Sequence, residues 1–185
     1  MDFQTYFSYF EQILNNQIKD VPYDLEMIDY IKLNYSRVKR WLKTGELDQD
    51  LAQNIKNLKS KQKWVLIAEP WCGDAANITP FVYLLSKENP LIELEIQLRD
   101  QNSEIENYLT NGSKSIPVLI IRDEDEKDIL VWGARPKSIQ EKVLDLKSKG
   151  VAIEEIKKEL QNWYNEDKGK SFQEEMKAWW IQNMN

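Results

Sequence analysis

Apolar residues first recur at helical spacing. Phe3, Tyr6, Phe7, Phe10, Ile13, Leu14 and Ile18 share one face of a helix predicted over residues 2–18, which Pro22 interrupts. A second stripe, Leu25, Ile28, Ile31, Tyr35, Val38, Trp41 and Leu42, predicts a helix from Asp24 to Lys43 that Thr44-Gly45 ends. Leu47, Leu51, Ile55 and Leu58 predict a third over 47–60. The period then changes. Trp64-Val65-Leu66-Ile67-Ala68 is a continuous apolar run, the pattern of a strand covered on both faces. Pro70 and Gly73 flank a turn, and residues 73–87 predict a helix with Pro80 as its kink.

Leu91–Leu98 alternates, with Ile92, Leu94, Ile96 and Leu98 on one face and Glu93, Glu95 and Gln97 on the other, as a half-buried strand requires. Residues 102–110 predict a short helix closed by Asn111-Gly112. Pro117–Ile121 reads as another apolar strand, Asp123–Lys127 as a charged hairpin turn and Asp128–Trp132 as the returning antiparallel strand. Pro136–Lys149 predicts a helix with Ile139, Val143, Leu144 and Leu146 inward, ended by Gly150. A last helical tail holds Ile153, Ile156, Leu160, Trp163 and Tyr164, then Phe172, Met176, Trp179 and Trp180. The order is helix-rich, then β-α-β-α-β-β-α, then helix-rich. This predicts an α/β fold with a mixed central sheet of four or five strands. The helical ends are expected to pack on it, because their aromatic stripes must be buried.

Composition narrows the chemistry. The chain has 185 residues, 42% of them hydrophobic and seven of them Trp, enough for a substantial core. It has no His and one Cys. Ser-His-Asp triads, Cys-His dyads and His metal sites are excluded, as are an internal disulfide, Cys-rich zinc sites and four-Cys iron–sulfur clusters. No metal site is expected. Formal net charge is 25 − 31 = −6. The basic clusters, Arg37, Lys39, Arg40, Lys43 and Lys56, Lys59, Lys61, Lys63, read as solvated helix faces rather than nucleic-acid contacts. MDFQTYFSYF has no basic start and no long apolar run, and no stretch approaches about 18 apolar residues, so neither a signal peptide nor a membrane span is expected. A lone Cys in such a chain fits a reducing cytoplasm.

That Cys lies in Glu69-Pro70-Trp71-Cys72-Gly73-Asp74-Ala75, between a buried strand and a helix. A helix N-terminus offers partial positive charge and free N–H groups, which favour thiolate, and Trp71 can shield one side. A turn containing Gly is an unusual place for a Cys that merely packs.

Here the chain resembles the thioredoxin family, over about residues 47–150. Trp71-Cys72-Gly73 matches the start of the family's Trp-Cys-Gly-x-x site. Pro80 follows Cys72 where thioredoxins kink the active-site helix, and Ile116-Pro117 opens a strand, as does the family's cis-proline, which faces the thiol. Gly133-Ala134 resembles the glycine-containing loop beside the substrate groove, and Asp100-Gln101-Asn102 after the middle strand is similar too. The Glu-Pro-Trp-Cys-Gly-Asp-Ala and Trp-Gly-Ala-Arg-Pro segments look closest to a bacterial subgroup with helical additions. The resemblance implies a thioredoxin-like domain over 47–150, an N-terminal helical extension over 1–46 and a C-terminal one over 151–185.

The departures bear on mechanism. Ala75 stands where thioredoxins carry the resolving Cys, so two-Cys exchange within the chain is excluded. Leu66 stands where the family buries an Asp that serves that second thiol. Asp74 replaces the usual proline, and its charge, like that of Glu69, opposes thiolate at Cys72, while Arg135 in the neighbouring loop offsets them. The balance leaves the Cys72 pKa open.

The resemblance supports three expectations. The first is monothiol thiol–disulfide chemistry: Cys72 forms a mixed disulfide that an external thiol resolves. Ile116 and Pro117 would then shape the groove, Gly133 would border it, and Arg135 would hold the carboxylate of a small thiol such as glutathione. No cofactor is implied beyond that thiol co-substrate, and the partners are protein or peptide thiols and disulfides. The second is a peptide- or protein-binding module without redox chemistry, with Trp179 and Trp180 as either contacts or core anchors. The third, a thiol peroxidase, lacks donors in the turn to activate peroxide.

Overall fold

A computed structural model describes residues 1–18 and 22–184. Three helices open the chain: α1 (Phe3–Leu14), α2 (Leu25–Thr44) and α3 (Gln49–Lys56). Each begins at an Asp whose carboxylate accepts a first-turn N–H: Asp2 from Thr5 at 2.7 Å, Asp24 from Met27 at 2.8 Å and Asp48 from Leu51 at 2.9 Å. Such caps contribute about 1 kcal/mol each. α1 is shorter than its apolar stripe because Asn16 turns left-handed, at φ 53°. Ile18 packs against the core from outside the helix, and Leu25, first in the α2 stripe, stands exposed.

The sheet has four strands in the order β2-β1-β3-β4. β1 (Gln62–Ala68) runs parallel to β2 (Ile92–Leu98) and antiparallel to β3 (Val118–Arg122), and β4 (Asp128–Gly133) is antiparallel to β3. The unbroken apolar run of β1 follows from its place inside the sheet, where Trp64 to Ala68 are all fully buried. β2 alternates because it is an outer strand. Its edge is partly covered: the Met1 nitrogen donates to Ile96 O at 2.9 Å, and the Ile96 N–H donates to Met1 O at 2.7 Å.

α4 (Gly73–Ser86), with Pro80 inside it, carries the turn of the lone Cys onto the sheet, and α2 packs along α4. α1 packs on α2 and β2, α5 (Lys137–Ser148) on α6 (Ile153–Asp167), and α3 on α7 (Lys170–Asn183). Phe172, Met176 and Trp180 join the main core, with Trp179 half-buried against it. The two C-terminal tryptophans are therefore anchors. No helix among the described residues is long and apolar enough to cross a membrane.

Three expectations change. Residues 102–110 hold only a 3₁₀ turn, Ile105–Asn107. Backbone N–H groups there are diverted to side chains: the Glu104 N–H donates to Gln97 Oε1, and the Ile105 N–H to Ser103 Oγ, whose own hydroxyl donates to Arg99 O. The C-terminal tail is two helices, not one, broken where Lys168 and Gly169 both adopt positive φ, 54° and 78°. Gly169 sits on the Phe81 ring, where a Cβ would lie 2.5 Å from ring carbons. Leu144 is exposed, not inward, because α5 buries Ile139 and Val143 against Ile156 of α6, and Leu144 points away from that contact.

Candidate functional site

Cys72 is the N-cap of α4, with an extended backbone at φ −80° and ψ 118°. β1 ends at Ala68, and the Cys72 N–H donates to Glu69 O at 3.0 Å, closing the turn that brings the thiol to the segment leading into β3. Cys72 Sγ accepts from the Ala75 N–H at 3.5 Å and donates to Ile116 O at 3.5 Å. The Ile116–Pro117 peptide is cis, as is Gly133–Ala134. Gly133 approaches Pro117 so closely that a Cβ would lie 2.4 Å from Pro117 O. The three segments expected to meet, around Cys72, Pro117 and Gly133, thus converge. Ala75 is fully buried one turn into the helix, and Trp71 is half-buried under the Arg99 guanidinium, 4.7 Å from the ring centroid.

Asp74 organises the floor of the site. Its Oδ2 accepts from Arg135 Nη2 at 2.6 Å, and its Oδ1 accepts from Arg135 Nε at 3.2 Å and from the Tyr164 hydroxyl at 2.7 Å. Arg135 Nη1 also reaches Gln140 Oε1 at 3.3 Å. Expected as the carboxylate holder for a small thiol, Arg135 instead has its fork committed to Asp74. The position that replaces the family's proline therefore works as a clamp, tying α4 to the loop after β4 and to α6.

Glu69 is almost fully buried and accepts from the Tyr23 hydroxyl at 2.6 Å and from the Asp100 N–H at 3.1 Å. Burial raises its pKa against those two hydrogen bonds. The Tyr23 phenol is in turn pushed far up by burial and by the Glu69 carboxylate. Glu69 fixes the turn after β1 to Tyr23 and to the chain beyond β2.

The Cys72 thiol is pushed up to about 12, chiefly by burial and then by the Asp74 charge, against the Ala75 and Asp74 N–H groups and Arg135. Only 8% of the residue is exposed. The favourable features at the helix N-terminus do not offset the loss of water and the adjacent carboxylate. Around neutral pH the group is a thiol.

Beside it lies a pocket of about 460 Å³. Cys72, Trp71 and Gly73 form one end. The walls come from α2 through Met27, Tyr30 and Arg37, from α5 through Val143, and from α6 through Ile156 and Leu160. Periodicity along α2 places Arg37 in a basic, solvated cluster. In the fold it is half-buried, its Nη1 donating to Asn34 Oδ1 at 2.7 Å, while Asn34 Nδ2 donates to Pro70 O at 2.9 Å. Arg37, Asn34 and Tyr164 are the site residues that sequence reading missed. The one available signal was Asn34, a polar residue in the middle of the apolar stripe of α2.

A family model described as thioredoxin matches residues 22–168. No curated protein matches the chain. Among solved structures, a protein of unknown function from Pseudomonas aeruginosa is similar at 14% identity and a TM-score of 0.50, over 80% of this chain and 83% of that one. An HIV epitope-scaffold is similar at 15% identity and a TM-score of 0.49, over 76% and 81%. The family match covers most of the chain, and the mixed sheet, the Cys-capped helix and the helical additions agree with it. The chain belongs to the thioredoxin family.

Proposed function

We propose that this chain is a thioredoxin-fold binding protein that seats a small ligand in the pocket beside Cys72, with the thiol as part of the pocket wall. One observation carries this reading: a pocket of about 460 Å³, walled by α2, α5 and α6, adjoins a buried thiol whose pKa is pushed up to about 12. The volume suits a small molecule. Arg135, the cation whose charge favours the thiolate, is committed to Asp74. A reducing cytoplasm suits such an uncrosslinked thiol.

Monothiol exchange is the second reading, favoured by the Ala75 N–H that reaches Cys72 Sγ at the α4 N-cap. In that cycle the Cys72 thiolate attacks one sulfur of a ligand or peptide disulfide. A Cys72–ligand disulfide forms and the other sulfur leaves as thiolate. An external thiol, deprotonated, then attacks this mixed disulfide, is itself oxidised into a disulfide with the ligand, and releases Cys72. Ile116, Pro117 and Gly133 would border the incoming chain.

The rate of iodoacetamide alkylation against pH separates the two. Binding without exchange predicts no inflection below about pH 9; an inflection below about 7.5 overturns it in favour of exchange. Native mass spectrometry of protein taken from its own cells supplies the positive test. A noncovalent mass increment that disappears on denaturation supports the binding reading. A covalent adduct on Cys72, removed by reductant and absent in Cys72→Ser, refutes it.

A further inference from the structure

Arg37 is the arginine of this site that lacks a carboxylate. Arg99 pairs with Asp100, Arg122 with Glu104 and Asp128, and Arg135 with Asp74, while Arg40, which does not line the pocket, donates to Asn165 Oδ1. Arg37 forms no ion pair among the described residues, and its one hydrogen bond goes to the neutral amide of Asn34. That amide is itself fixed on Pro70 O, so the guanidinium is aimed rather than free to swing into water. It hangs over the first turn of α4: a Cβ built on Gly73 would lie 3.6 Å from Arg37 Nη1. The partial positive charge of the α4 N-terminus lies beneath it. Burial and the neighbouring Arg40 lower its pKa, which marks a cation without an anionic counterpart.

We infer that the pocket binds a small amphipathic monocarboxylate, its carboxylate on Arg37 above the N-terminus of α4 and its apolar body against Met27, Val143, Ile156 and Leu160. This rests on the pocket reading above and names its ligand class. A planar guanidinium matches a carboxylate with two parallel N–H bonds, and burial makes that pair stronger than one in water. A single negative charge is favoured over two. The lining carries Asp24, Glu26 and Asp74 against Arg37, Arg135, Lys147 and Lys157, a balance of 4 − 3 = +1, which one carboxylate on Arg37 neutralises and a doubly charged phosphate or dicarboxylate exceeds. Beside Arg37, Met27, Val143, Ile156 and Leu160 give the lining an apolar stretch, which suits a short alkyl or similar chain.

The test uses the full chain, with octanoate, octanol and octyl phosphate titrated by calorimetry and by tryptophan fluorescence, Trp71 being in the pocket wall. Octanoate is expected to bind at least tenfold more tightly than octanol. Arg37→Gln is expected to weaken octanoate roughly ten- to a hundredfold, the usual range for losing a charged hydrogen bond, and to leave octanol unchanged. Arg37→Lys should retain part of the preference. The comparison of ligands on the unmodified chain needs no variant and stands even where Arg37→Gln folds poorly. Equal binding of octanoate and octanol overturns the carboxylate assignment while leaving the pocket in use. Tighter binding of octyl phosphate overturns the single-charge argument. Failure of all three to bind at millimolar concentration overturns the ligand class, whereas the pocket reading is judged separately by the native mass measurement.

Discussion

Replacing Asp74 by Ala removes the acceptor for both Arg135 and Tyr164 at once. The Asp74 and Arg135 side chains are 9% and 19% exposed, so the orphaned guanidinium is poorly hydrated. Breaking a buried pair in this way costs about 3–5 kcal/mol. With a urea m-value of about 2 kcal/mol/M, the unfolding midpoint should fall by about 1.5–2.5 M. Urea unfolding followed by far-UV circular dichroism measures this directly. The structural cause is separable from simple loss of packing by a double-mutant cycle. Asp74→Ala combined with Arg135→Met removes both charges, so the double variant should recover at least about 1 kcal/mol relative to additive single effects. A midpoint for Asp74→Ala within about 0.5 M of the unmodified chain refutes the clamp. Additive single effects refute the coupling even where the chain is destabilised.

Two further predictions concern single positions. Glu69 has a folded-state pKa raised above its ordinary 4.5 by burial, so ionisation favours the unfolded chain. The stability of the unmodified chain relative to Glu69→Gln should therefore be highest below pH 4.5 and fall as pH rises through the folded pKa; urea midpoints from pH 4 to 8 that keep a constant difference would contradict this. Gly169→Ala places a Cβ 2.5 Å from Phe81 in a left-handed backbone, and should lower stability by about 1–3 kcal/mol, seen as a drop in Tm; an unchanged Tm would mean the α6–α7 break does not need this contact.

Much of the fold is legible from local pattern, and the failures have local reasons. The apolar run from Trp64 to Ala68 marks an inner strand because covering both faces demands it. The alternation from Ile92 to Leu98 marks an outer one. Residues 102–110 misread as a helix because the Glu104 N–H donates to Gln97 Oε1 and the Ser103 hydroxyl to Arg99 O, and those acceptors lie on the preceding strand and its end. The helix break at Lys168-Gly169 was hidden because what fixes Gly169 is the Phe81 ring, nearly ninety positions away.

At the site, the sequence by itself determined which groups are present. One thiol without His excludes a dyad, and Ala75 excludes an internal disulfide, whatever the fold does. The Cys72-Gly73 turn also marks a helix start, because capping is local. Only the tertiary structure decided how those groups behave. Asp74 and Arg135 are 61 positions apart and Asp74 and Tyr164 are 90 apart, so no local pattern could show that the guanidinium and the phenol both donate to that carboxylate. Arg37 looks like one residue of a solvated basic face until α5 and α6 close over α2 and α4. The reactivity of Cys72 depends on burial and on the sum of charges around it. Those are long-range quantities that arise only when distant segments pack.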